Sequence, residues 1–236
     1  MKKLNIIASA IFASIELVLL ILIETLNDFQ ATPILQYISI GLCLAFSLIF
    51  IKADKFNLFI STGLLLTLGA DTFLVMISPQ NKLAGMIFFL AAQIVYCGYL
   101  MLKNKNKKVN IINLSIRIVG SILISIIAYL VLKDAFDALS LVSSVYIFNE
   151  LVNIVFSFFT FGENKLFSIG FVLFFVCDIF IGLSVANGVY LQISSSLASA
   201  ISNGLLAWAF YVPSQTLIAL NTSLRLKKDE ANNENS

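Results

Sequence analysis

The chain has no histidine, three prolines, three cysteines and one tryptophan, and only 12% of its 236 residues are charged. Without histidine there is no imidazole base, no imidazole switch near neutral pH and no histidine metal ligand. Cys43, Cys97 and Cys177 are odd in number, and each lies inside an apolar run. They read as small buried hydrophobes rather than disulfides or metal ligands. A P-loop, a GxSxG elbow and a dinucleotide fingerprint are also missing. No metal and no cofactor is expected.

What fills the chain instead is apolar surface. Hydrophobic residues make up 59% of it, and the mean hydropathy is +0.97. These proportions exclude an ordinary soluble domain and indicate an integral, multi-pass membrane protein. At ~20 apolar residues per crossing there is room for about eight spans. Apolar runs between polar breaks place them at 4–26, 34–51, 57–77, 83–102, 111–132, 138–161, 166–186 and 203–222. The breaks carry turn chemistry: Asn27-Asp28 with Pro33, Ser78-Pro79-Gln80-Asn81, the lysine-rich Lys103–Lys108, and Gly162-Glu163-Asn164. The fold class is therefore all-α and polytopic, with one transmembrane domain over 1–226. A polar tail, 227–236, is expected to be disordered. Residues 190–202 read as an extension of the last helix or as an interfacial stretch, the extension preferred. The first run lacks a cleavage site and is interrupted by Glu16, so it reads as a span and not a signal peptide.

Orientation follows from the basic residues. With the N-terminus inside, all but Lys82 and Lys133 of the 15 lysines and arginines fall on the cytoplasmic side, Arg117 counted among them. An even number of spans with both termini inside satisfies this asymmetry. Topology, with some attraction to anionic lipid, also explains Lys103–Lys108. No nucleic-acid partner is expected. The expected location is a bacterial plasma membrane.

Against this background two acids stand out. Asp71 lies in LFISTGLLLTLGADTFLVMI and Asp178 in LFSIGFVLFFVCDIFIGLSVA, with no lysine or arginine in either run. Inserting a carboxylate at such depth costs roughly 2.5–3.5 kcal/mol, so an acid there is a functional candidate. Both helices run from inside to outside, and both carry D-x-F, as Asp71-Thr72-Phe73 and Asp178-Ile179-Phe180. The helix after each holds a glutamine near a tyrosine: Gln93 with Tyr96, and Tyr211 with Gln215. A 4+4 parallel pseudo-repeat would produce this pattern, although the Asp-to-Gln spacing differs between the halves. In the sixth span Tyr146, Asn149, Glu150 and Asn153 share one helical face. Glu16, Asp71, Glu150 and Asp178, with the amides, are expected to line one polar pocket.

These residues also carry a family resemblance. The stretches LTLGADTFLVMISPQNKLAGMIFFLAAQIVYCGYL, SIGFVLFFVCDIFIGL and AWAFYVPSQTLIALN resemble the YhhN-like membrane proteins, to which lysoplasmalogenases belong. Asp71, Leu74, Gly85, Phe89, Tyr96, Asp178, Tyr211 and Gln215 fit that family's pattern. The chain departs from it at Gln93, where many relatives have histidine, and at Ala70 and Cys177, where glycine or serine is common.

The resemblance implies hydrolysis of the vinyl-ether bond of a lysoplasmalogen to a fatty aldehyde and a glycerophospho-base. The lipid substrate and the membrane are then the expected partners. Such a bond is broken by protonating the carbon β to oxygen, which leaves an oxocarbenium ion for water to attack. A carboxyl that keeps its proton and a nearby carboxylate suit the task. On this reading Asp71 and Asp178 are the catalytic pair, close enough to share a proton or a water. Gln93, Tyr96, Asn149, Glu150, Asn153, Tyr211 and Gln215 position water and the head group. Two other classes use the same residues: a proton- or cation-coupled transporter of small solutes, and a non-catalytic lipid-binding protein.

Overall fold

A computed structural model describes residues 2–26, 31–77, 79–189 and 204–224 of the chain. Among the described residues eight long helices follow one another: α1 (Lys2–Thr25), α2 (Ala31–Ile49), α3 (Asn57–Asp71), α4 (Lys82–Lys103), α5 (Lys107–Leu132), α6 (Ala138–Phe159), α7 (Phe161–Val189) and α8 (Leu205–Leu224). A π-helical segment, Thr72–Met76, extends α3, and a single 3-10 turn, Lys133–Ala135, follows α5. No strand occurs among the described residues. Seven of the helices are long and apolar enough to cross a membrane. The exception, α8, carries more polar residues, and Ser214, Gln215, Thr216, Asn221 and Thr222 are all buried.

The polar breaks become helix caps. Asn81 Oδ1 accepts the amide of Ala84 at 3.0 Å, Asn106 Oδ1 that of Lys108 at 3.1 Å, and Asp137 Oδ1 that of Ser140 at 2.7 Å. Each bond satisfies a backbone donor that the first helical turn leaves free. Capping by Asn106 starts α5 at Lys107 rather than at 111. The Gly162-Glu163-Asn164 break takes the form of a kink: α7 begins at Phe161 and leaves helical geometry at Asn164, where φ is −133° and ψ is 36°. Residues 190–202 and 227–236, for which an extension and a disordered tail were expected, lie outside the described residues.

Burial runs opposite to that of a soluble protein. Ile111, Ile118, Ile122, Ile126 and Leu130 of α5 point outward, while Asn57, Gln93, Glu150, Asn153 and Gln215 are buried. In a lipid solvent the outward side chains are already in oil, so cohesion comes from close packing and internal hydrogen bonds. Helices α2, α3, α4, α6, α7 and α8 touch in that cyclic order, with α1 against α2 and α8, and α5 against α6. Helices α7 and α8 share the most extensive contact among the described residues. A Cβ built on Gly170 would lie 2.9 Å from the carbonyl oxygen of Ser214, so only glycine permits this spacing.

One expectation about charge is corrected. Arg117 does not sit at a helix end as Lys107 and Lys108 do. It lies within α5, only 6% exposed, facing α6.

Candidate functional site

Four helices bring three carboxyls together. Asp71 is the last residue of α3, Glu150 lies midway along α6, Asp178 is on α7, and α8 contributes Tyr211. The Tyr211 hydroxyl donates to Asp71 Oδ2 at 2.8 Å. The Tyr146 hydroxyl donates to Asp178 Oδ2 at 2.5 Å. Glu150 has Asp178 as an electrostatic neighbour, and neither of its oxygens has a hydrogen-bond partner among the described residues. Cys177 has all three carboxyls as electrostatic neighbours, and Tyr211 has both Asp71 and Asp178. Asp71 and Glu150 are buried, at 3% and 0% exposure, whereas Asp178 is only half-buried.

Aromatic rings frame the cluster. Phe89 of α4 packs against Tyr146, Phe174 and Tyr211, with ring centroids 5.8, 5.8 and 6.4 Å apart. The rings fix the two tyrosines and so aim their hydroxyls. The backbone beside Asp71 is unusual as well. In the π segment the amide of Ile77 reaches back to the carbonyl of Thr72 at 3.0 Å. Wider turns of this kind occur often at functional sites, because they re-aim the neighbouring side chains. The Thr72 hydroxyl is held by Leu68 O at 2.9 Å and pairs with Tyr37 at 3.1 Å.

Asp71 takes its bond from Tyr211, which also has Asp178 as an electrostatic neighbour, while Glu150 stands on the other side of the group as a further neighbour of Asp178. Glu16 stands apart from all three. It accepts from Ser39 Oγ at 2.5 Å and Cys43 Sγ at 3.7 Å, both on α2. Four acids in one pocket are therefore a group of three plus one. The reason is rotational: each side chain faces whichever neighbour its helix turns toward, and α1 turns Glu16 to α2.

Asn149 and Asn153 share a face with each other but serve a cation. Arg117 donates through Nε to Asn113 Oδ1 at 2.7 Å, through Nη1 to the Asn149 carbonyl and Oδ1 at 3.2 and 2.9 Å, and through Nη2 to Asn153 Oδ1 at 2.6 Å. Asn153 Nδ2 passes on to Gln93, donating to its carbonyl at 3.0 Å and its Oε1 at 2.7 Å. Gln93 Nε2 and Gln215 Oε1 are buried without a partner among the described residues. Tyr96 is fully buried beside Phe167 and Phe171, in a separate part of the core from Tyr146 and Tyr211.

Sequence reasoning missed Arg117 and the π segment. For Arg117 a signal existed: it sits inside the apolar run 111–132, one helical turn after Asn113. Nearby lysines masked it, since position in the chain placed it with them. The π segment has no comparable sequence mark.

In comparison with known proteins, the YhhN family model matches residues 31–222. No curated protein and no solved structure matches the chain.

Proposed function

The chain belongs to the YhhN family, and from that premise we propose that it is a membrane-embedded hydrolase of the lysoplasmalogenase type. Its substrate is the vinyl-ether bond of a lysophospholipid. The observation that carries the proposal is Asp178: a half-buried carboxyl with a hydroxyl donor and with Glu150 as an electrostatic neighbour. That is an arrangement able to present a proton to a lipid chain from within the bundle.

The reaction needs few parts. Asp178 protonates the carbon β to the ether oxygen, and the alkene electron pair forms the new C–H bond. The remaining cation is an oxocarbenium ion, offset by the carboxylate left behind and by Asp71, which Tyr211 holds in place. Water adds to the cationic carbon and gives its proton to a carboxylate. In the hemiacetal the hydroxyl proton passes to the glyceryl oxygen as the C–O bond breaks, which yields aldehyde and alcohol. Gln93 Nε2 and Gln215 Oε1 supply one donor and one acceptor for water or the head group. The alkenyl chain lies along Phe89 and Phe174.

The proposal includes the internal duplication. Its support is the cyclic helix order, in which α2, α3 and α4 answer α6, α7 and α8.

Purified protein incubated with lysoplasmalogens of several head groups, assayed for aldehyde, tests the activity. Release from vinyl-ether lipids and none from their saturated counterparts is the expected result. Absence of release from every head group would overturn it.

A further inference from the structure

We propose that the end of the bundle where α4 finishes and α3 begins carries a binding site for an anionic phospholipid. Lys55 and Lys103 take its phosphate, and Phe59 and Leu102 take its acyl chain. The site is independent of the hydrolase reading, since none of these residues belongs to the carboxyl cluster.

The ring of Phe56 organises the site. Lys103 Nζ lies 4.4 Å from its centroid and Lys55 Nζ 5.2 Å. An aromatic face attracts a cation, so one ring gathers two ammoniums that would otherwise repel each other. Phe56 is itself held in place. Its ring meets Tyr99 edge-on, with centroids 6.5 Å apart, and its amide donates to Asp54 Oδ1 at 3.0 Å. Asn57 Nδ2 donates to the carbonyls of Phe50 and Thr222 at 2.8 and 3.0 Å, which pins the start of α3 between α2 and α8. Lys103 also pairs with Asp54 at 3.9 Å, whereas Lys55 is exposed and has no carboxylate partner among the described residues.

A cavity of about 240 Å³ opens beside this ring, lined by Lys55, Phe56, Phe59 and Leu102. Its lining combines an ammonium with phenyl and leucine side chains, and Leu102, 55% exposed, belongs to the lipid-facing surface. A soluble phosphate would satisfy the ammoniums and leave the apolar lining against water. A phospholipid covers both. Charge selects the head group. Residues 50–56 and 103–108 hold six lysines and one acid, Asp54, while the α6–α7 junction adds one of each sign, Glu163 and Lys165. A zwitterionic lipid would bring a further ammonium into this surplus, so an anionic one is favoured. Lysine binds phosphate as a point charge on a flexible stem, and the stem lies along apolar surface while the charge reaches the head group.

Native mass spectrometry of the purified protein, titrated in neutral detergent with phosphatidylglycerol or phosphatidylcholine, reads the bound lipid directly. Phosphatidylglycerol should be retained in preference. Lys55→Gln should weaken its retention about five-fold, the effect of one basic residue beside anionic lipid. Lys107→Gln removes the same charge from a residue that does not line the cavity, and should leave retention nearly unchanged. Leu102→Trp keeps every charge but fills the cavity, so it should weaken retention as well. Lys55 and Leu102 are both exposed, so neither substitution disturbs the packed interior, and melting temperatures in detergent check this. Equal losses from Lys55→Gln and Lys107→Gln would reduce the effect to diffuse attraction and overturn the site, as would equal retention of the two lipids. Displacement of phosphatidylglycerol by an equal concentration of glycerol 3-phosphate would overturn the lipid assignment in favour of a soluble phosphate.

Discussion

Nη2 of Arg117 donates to Oδ1 of Asn153 over 2.6 Å, and the same amide then donates to Gln93. A guanidinium buried in α5 is thereby tied to α6 and, at one remove, to α4. Among the described residues its bonds go to amide and carbonyl oxygens, and none to a carboxylate. Arginine suits this use: its charge is permanent and its planar fork satisfies several acceptors at once. Because α5 packs on the bundle through α6, this clamp is its main polar attachment.

Arg117→Gln should therefore loosen α5. Single hydrogen bonds within membranes contribute on the order of 0.6 kcal/mol. Losing several, with amides left unpaired, should lower stability by about 2 kcal/mol. Thermal unfolding in detergent measures this. Arg117→Lys should recover little, since an ammonium cannot span the three asparagines. Full recovery by lysine would show that only the charge matters.

Asp178→Asn and Asp71→Asn should each reduce aldehyde release by about 100-fold or more while the protein still inserts and folds. An amide keeps the shape and the tyrosine bond but can neither yield a catalytic proton nor carry negative charge. Tyr211→Phe should cost less than Asp71→Asn, because the carboxylate remains. Near-normal rates from both asparagine variants would make the acids structural. Initial rates on a vinyl-ether lysolipid, compared at equal folded protein, read the difference.

Gly170→Val should part α7 from α8. The new side chain meets the Ser214 carbonyl oxygen, and backbone cannot move aside as a flexible side chain does. Overpacking of this kind costs about 1–3 kcal/mol. Activity should fall further than stability does, since Asp178 and Tyr211 sit on the two separated helices. Gly182→Val, where a Cβ meets nothing within 4 Å, is the control.

At the start of α6, Asp137 accepts the backbone amide of Ser140 and its hydroxyl, each at 2.7 Å. These bonds, the backbone one first, hold its carboxyl below the usual aspartate range. The lowered value means that the cap contributes above the unfolded-state range and is lost as pH falls through the folded one. The protection factor of the Ser140 amide, its exchange rate corrected for the intrinsic pH dependence, should therefore fall on acidification below about pH 4. Asp137→Asn should abolish that dependence, because asparagine caps at any pH. An acid-induced change that persists in the asparagine variant would place its origin elsewhere.

The orientation with both ends inside predicts labelling by a membrane-impermeant thiol reagent. Single cysteines at Gln80 and Asp134, in a background with Cys43, Cys97 and Cys177 replaced, should react from outside. A cysteine at Asn106 should react only after permeabilisation. Reaction of Asn106 from outside would reverse the topology.

Composition and run length were enough to determine an all-helical membrane bundle, because twenty apolar residues without charge have few other stable states. Asp71, Glu150 and Asp178 could be singled out for the same reason: a carboxyl in such a run is costly and therefore conspicuous. Partners were another matter. The meeting of Glu150 with Asp178, the separation of Glu16, and the turning of Asn149 and Asn153 toward Arg117 depend on how each helix is rotated about its axis and which neighbour it meets. Hydropathy along a chain records depth in the membrane, whereas rotation is set by packing against other helices. Only the tertiary structure, in which α6 lies between α5, α4 and α7, decided which acid would face which.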